Sequence, residues 1–60
     1  MNVGDFVTVN NEYSMHYGLG GEVLKIDDGG VVWVIVFVNP YNREWDKVVK
    51  YSVNDLLKDV

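Results

Sequence analysis

Residues 31–38, Val-Val-Trp-Val-Ile-Val-Phe-Val, set eight apolar side chains in a row. Nearly all are β-branched or aromatic, which favours a pleated strand over a helix. Gly29-Gly30 precede the run and Asn39-Pro40 follow it, so its length is that of one strand. It is far too short to cross a bilayer. Strand alternation puts Trp33, Ile35 and Phe37 on one face and Val32, Val34, Val36 and Val38 on the other. Both faces are apolar, so both need cover. The bulky odd-numbered side chains are read as filling a narrow interior. The even-numbered valines then have two readings. They are a second buried face of a strongly bent sheet, or an exposed strip that marks a partner site or a self-association site. Burying four valines is worth about 6 kcal/mol, at about 1.5 kcal/mol each. That is comparable to the whole stability of a chain of 60 residues.

The remaining segments supply further short strands. Residues 3–9 read as a first strand entered through a turn, with Val3, Val7 and Val9 inside and Phe6 outside. Residues 10–20 form a long loop of turn-prone residues, a length that in a small domain usually carries function. Gly18, Gly20 and Gly21 crowd its end and suggest backbone angles closed to other residues. Residues 22–27 are a second strand whose Val23 and Ile26 differ in parity, which a β-bulge would reconcile. Asp27-Asp28-Gly29-Gly30 is a tight turn that pairs this strand with the central one. Pro40 bars the next connection from a ladder. Residues 47–51 are a fourth strand, and Ser52-Val53-Asn54-Asp55 has the form of a helix start. One helical turn follows, and residues 58–60 close with a short strand. The expectation is one domain, residues 1–60, all-β: a small five-stranded antiparallel barrel with a short helical turn before the last strand. Barrel closure would remove exposed edges. The expected core is Val7, Val9, Val23, Ile35, Phe37, Val49 and Leu56.

Charge and composition narrow the function classes. Nine acidic and five basic side chains leave a net charge of −4, with the excess in the first half, where Lys25 stands alone against five carboxylates. Phosphate backbones call for clustered Lys and Arg, so the balance argues against nucleic acid. There is no cysteine and one histidine, His16, so neither a disulfide nor a thiolate or histidine-rich metal site is available. The lack of cysteine fits a reducing cytoplasm. The start of the chain lacks a secretory leader and reads as that of a whole small protein. His16 has no persuasive partner for catalysis, since Ser14 is too near in sequence. Asp27 and Asp28 are explained by the turn, not by calcium.

Two stretches carry a resemblance. Val3-Gly4-Asp5-x-Val7-x-Val9, followed by Gly18-Leu19-Gly20-Gly21-Glu22-Val23-x-x-Ile26-Asp27, resembles the opening of a KOW-type SH3-like barrel. Glu12-Tyr13-Ser14, Gly21-x-Val23, Val34-Ile35-Val36-x-Val38 and Tyr51-Ser52-Val53-Asn54-Asp55-Leu56 are similar to SH3-like electron-transport accessory proteins, such as the small stromal-side subunit of photosystem I. That family implies a helical turn leading into a closing strand. The basic residues thought to contact ferredoxin in such a subunit are largely absent here. Peptide-binding SH3 signalling domains are a third likeness by fold, though their Ala-Leu-Tyr-Asp-Tyr signature is missing.

The loop aromatics Tyr13, His16, Tyr17, Tyr41 and Trp45 are either a contact platform or a roof over the barrel ends. Tyr13, Tyr17, Tyr41 and Trp45, with Val34 and Val36, are the candidate partner-contact residues. The sequence thus points to a non-enzymatic cytoplasmic binding module or accessory subunit, acting through protein–protein contacts or self-association. It implies no cofactor, no metal and no membrane. The alternative is a KOW-type nucleic-acid or ribosome-associated protein.

Overall fold

The computed structural model describes residues 1–39 and 41–59. Pro40, and the Val60 end of the expected closing strand, lie outside them. The chain is all-β. Its strands are β1 (Phe6–Val9), β2 (Gly20–Ile26), β3 (Val31–Val36), β4 (Lys47–Ser52) and β5 (Leu56–Lys58). They form one antiparallel sheet in the order β4-β3-β2-β1-β5. Two 3-10 turns, Arg43–Trp45 and Val53–Asp55, flank β4.

Strands β4 and β5 are the two edges, and no ladder joins them, so the described sheet is not a closed barrel. It cannot be flat either. Five strands at about 4.8 Å spacing would put the edges about 19 Å apart. The turn Val53–Asp55 alone connects Ser52 to Leu56, and four residue steps span at most about 14 Å. The sheet must curl to let the chain pass from one edge to the other.

Two local devices help it curl. The β2–β3 register shifts between Val23, opposite Val34, and Lys25, opposite Trp33, which makes Leu24 the expected bulge. Gly21 is buried where a Cβ would come within 2.6 Å of both the Ile35 carbonyl oxygen and Val34 Cγ1. A strand glycine permits that close approach. Of the three loop-end glycines only Gly18 has positive φ, at 84°. Gly20 and Gly21 are strand residues, so backbone freedom does not explain them.

The β2–β3 hairpin closes on Asp27, whose amide donates to the Val31 carbonyl at 3.0 Å. Asp27 Oδ1 accepts from the amides of Gly29 at 2.9 Å and Val31 at 3.0 Å. Gly30 takes the left-handed position at φ 83°, as three-residue hairpin loops require.

The interior corrects the sequence reading of β3. The core is Val7, Val9, Val23, Val32, Val34, Val36, Tyr51 and Leu56, with Met1, Leu19, Ile26, Val38 and Val49 packed against it. Val7, Val9, Val23 and Leu56 lie where expected, and Val49 borders them. Ile35 and Phe37 do not belong to the core. They share the outer face with Trp33 and are only half-buried. The concave side of a sharply curled sheet has room for valines but not for an indole. The register enforces the same choice, because Trp33 lies opposite Lys25 and Lys50. Those ammonium groups sit 5.4 and 4.6 Å from the Trp33 ring centroid.

The first strand also starts later than expected. Asp5 donates its amide to the Asn2 carbonyl at 3.1 Å, and Gly4 adopts φ 91°. Val3 therefore sits on a turn and faces water.

Candidate functional site

Residues 10–19, like residues 37–46, make a ten-residue excursion from the sheet, and short-range hydrogen bonds shape them. Asn11 Oδ1 accepts from the Tyr13 amide at 2.9 Å, and the Asn11 carbonyl accepts from the Ser14 amide at 2.9 Å. Asparagine turns of this kind replace a backbone turn with a side chain. The Tyr17 amide donates to the Ser14 carbonyl at 3.1 Å, and the Leu19 amide to the His16 carbonyl at 3.0 Å. The loop is bonded to the sheet at both ends, through Gly18 to Val9 at 2.9 Å and Val9 to Leu19 at 2.9 Å. Its middle is tied to β4 by the Tyr51 hydroxyl. That oxygen lies 2.8 Å from Ser14 Oγ and 3.4 Å from His16 Nδ1. The imidazole thus faces a structural tyrosine, and the serine is engaged by the same hydroxyl.

Between this loop and the turn Val53–Asp55 lies an open groove of about 480 Å³, lined by Asn10, Asn11, Glu12, Tyr13, Tyr17 and Asp55. The loop and turn are held in register. The Asn10 amide donates to the Asp55 carbonyl at 2.7 Å, and Asn11 Nδ2 to Asp55 Oδ1 at 3.5 Å. Asp55 Oδ2 in turn accepts from the Ser52 amide at 3.3 Å, which fixes the helical turn as the Ser-x-x-Asp pattern suggested. Tyr13 is 92% exposed and Tyr17 57%. The groove presents two carboxylates and two phenol rings, and none of its lining residues is basic.

The six candidate contact residues fall in three places. Tyr13 and Tyr17 share the groove. Tyr41 and Trp45 stand exposed on the β3–β4 connection and do not line it. Trp45 belongs to the turn Arg43–Trp45, which begins where Asn42 Oδ1 accepts the Glu44 amide at 3.0 Å. Val34 and Val36 are wholly buried and offer no surface. The exposed-strip reading of the even-numbered valines is thereby corrected. The sequence reading passed over Asn10 and Asn11, and it left Glu12 and Asp55 out of the contact set. Adjacent asparagines before a tyrosine were the available signal.

A second cleft is lined by Phe37, Asn39, Arg43 and Asp46. The Asp46 side chain is almost fully buried, and its Oδ2 lies 4.0 Å from Arg43 Nε. Among the described residues its Oδ1 has no hydrogen-bond partner.

Among the described residues, no cluster of His, Cys, Asp and Glu is placed to hold a metal ion, and no helix is long and apolar enough to cross a membrane. No family model matches the chain, and no curated protein shows significant similarity to it.

Proposed function

We propose that this chain is a non-enzymatic, SH3-like binding module of the cytoplasm, an accessory subunit that recognises a protein segment at the Tyr13–Tyr17 groove. The observation that carries the reading is the exposure of Tyr13 on a loop whose backbone is fixed by its own hydrogen bonds. A rigid, exposed tyrosine gives contact area at little entropic cost on binding. Glu12 and Asp55 at the rim favour a segment with basic side chains. Selection from a random peptide display library tests this. Basic peptides should be enriched on the parent protein and lost on a folded Tyr13→Ala/Tyr17→Ala variant. Equal enrichment on both would remove the groove from the function.

The KOW-type reading retains one favourable observation. Lys25 and Lys50 flank Trp33, the kind of aromatic and cationic pairing that single-stranded nucleic acid uses. Two cations on a chain of net charge −4 make a small footprint. Salt-sensitive RNA binding abolished by Lys50→Glu would favour this second reading.

A further inference from the structure

The cleft lined by Phe37, Asn39, Arg43 and Asp46 holds a carboxylate with too few partners. Asp46 closes the turn Arg43–Trp45, its amide donating to the Arg43 carbonyl at 3.1 Å. Its side chain is 5% exposed. Taking a carboxylate out of water is costly unless donors replace the water. Arg43 Nε stands 4.0 Å from Oδ2, too far for a hydrogen bond. Oδ1 has no partner among the described residues. An ionised carboxylate only accepts, so the missing group is a donor.

Hydrogen bonds fix the backbone around this carboxylate. Asn39 Oδ1 accepts the Tyr41 amide at 2.9 Å, and the Asn39 carbonyl accepts the Asn42 amide at 3.3 Å. Asn42 Oδ1 accepts the Glu44 amide at 3.0 Å. The cleft measures about 330 Å³, the low end of the range that small molecules occupy. Phe37 gives it an aromatic wall, and a cation is attracted to the face of such a ring. A metal ion would need several ligands, and Asp46 is the one carboxylate among the lining residues. An ammonium or guanidinium group needs only one.

We propose that this cleft binds a small organic cation bearing N–H donors, an ammonium or a guanidinium, with Asp46 Oδ1 as the acceptor and the Phe37 ring beside it. Oδ1 is closed to water in the resting arrangement, so the ligand enters as Arg43 swings aside. The Arg43 side chain is 86% exposed, and exposed side chains change rotamer within nanoseconds. The cleft shares no lining residue with the Tyr13–Tyr17 groove, so the two sites stand or fall separately.

NMR titration of the intact, isotope-labelled chain is the test. The probes are methylguanidinium chloride and n-butylammonium chloride, read at the Asp46 carboxyl carbon and at the Phe37 and Arg43 amides. Tetramethylammonium chloride at equal concentration is the control, because it carries the charge without an N–H. At least one N–H cation should give a saturable shift in the millimolar range, and whichever does so identifies the headgroup. Tetramethylammonium should give none. Asp46→Asn should weaken binding by roughly tenfold or more. Phe37→Leu, which keeps an apolar wall, should weaken it about two- to fivefold. Absence of saturation with both N–H cations leaves Oδ1 to water and overturns the proposal. So does an equal response to tetramethylammonium, a folded Asp46→Asn chain that binds like the parent, or a Phe37→Leu chain that does.

Discussion

Tyr51 Oη and Ser14 Oγ lie 2.8 Å apart, joining the fourth strand to the middle of the first loop across 37 residues of sequence. Tyr51 is in the core, so its hydroxyl must find a partner inside the protein. The loop supplies it. Tyr51→Phe should cost about 0.5–1.5 kcal/mol. The loss should be local. Amide hydrogen exchange at Tyr17 and Leu19 should accelerate while β2 and β3 keep their protection. Uniform acceleration throughout the sheet would show that the hydroxyl supports the whole fold rather than the loop.

Gly21 predicts an unusual intolerance of the smallest possible addition. A Cβ there meets backbone and a buried valine at 2.6 Å. Gly21→Ala should therefore cost about 1–3 kcal/mol, as overpacking does. At Gly20 the nearest atom to an added Cβ is 3.8 Å away, so Gly20→Ala is the control and should melt close to the parent. Similar melting of the two variants in thermal unfolding would contradict the close strand approach.

The two sides of the stretch from Val31 to Phe37 should respond unequally. Val34→Lys should leave the chain unfolded by circular dichroism, because an unpaired charge is not tolerated where Val34 lies, wholly buried. Val34→Ala should cost about 2–3 kcal/mol. Phe37→Ala should cost less than the about 3–5 kcal/mol of a fully buried phenylalanine, since Phe37 is only half-buried. A folded Val34→Lys would return the even-numbered valines to the surface.

Asp5 gives the chain one acid-sensitive contact. Its Oδ2 accepts the Asn2 amide at 2.8 Å and lies 3.7 Å from Lys58 Nζ. The hydrogen bond from the Asn2 amide, helped by the Lys58 and terminal charges, lowers its pKa from the ordinary carboxylate value. A carboxylate with a lowered folded pKa adds stability above its unfolded pKa and loses it as pH falls through the folded one. Melting temperature should therefore fall below about pH 4, and less steeply in Asp5→Asn. Superimposable pH profiles for parent and variant would show that the contact does not report on folding.

The turn chemistry of this chain is written in its residues, and the face of its central strand is not. Asp27 to Gly30, the Ser52–Asp55 turn and the parity break at Val23 and Ile26 each have one plain physical reading, and each is found. The inner face of β3 was misread because size was taken as the guide to burial. Counting back from a three-residue hairpin loop would have set Lys25 opposite Trp33 and turned the tryptophan outward. The groove was half-visible. Tyr13 and Tyr17 stood out as aromatics in a long loop, but Asp55 is 38 residues beyond Tyr17 in sequence. Only the curl of the sheet brings them together.

The six largest fully buried side chains are all valine. Valine has a single rotatable side-chain bond, and its branching already restricts that bond in an extended chain. Freezing such an interior gives up little rotamer freedom, whereas long flexible side chains lose up to about 1.5–2 kcal/mol each on burial. The consequence is a core whose parts are nearly in their final shape before folding begins. Its cohesion comes from fit more than from volume. A Val→Met exchange at any of these sites would keep the oiliness and still work against the fold, by adding both bulk and motion to be stilled.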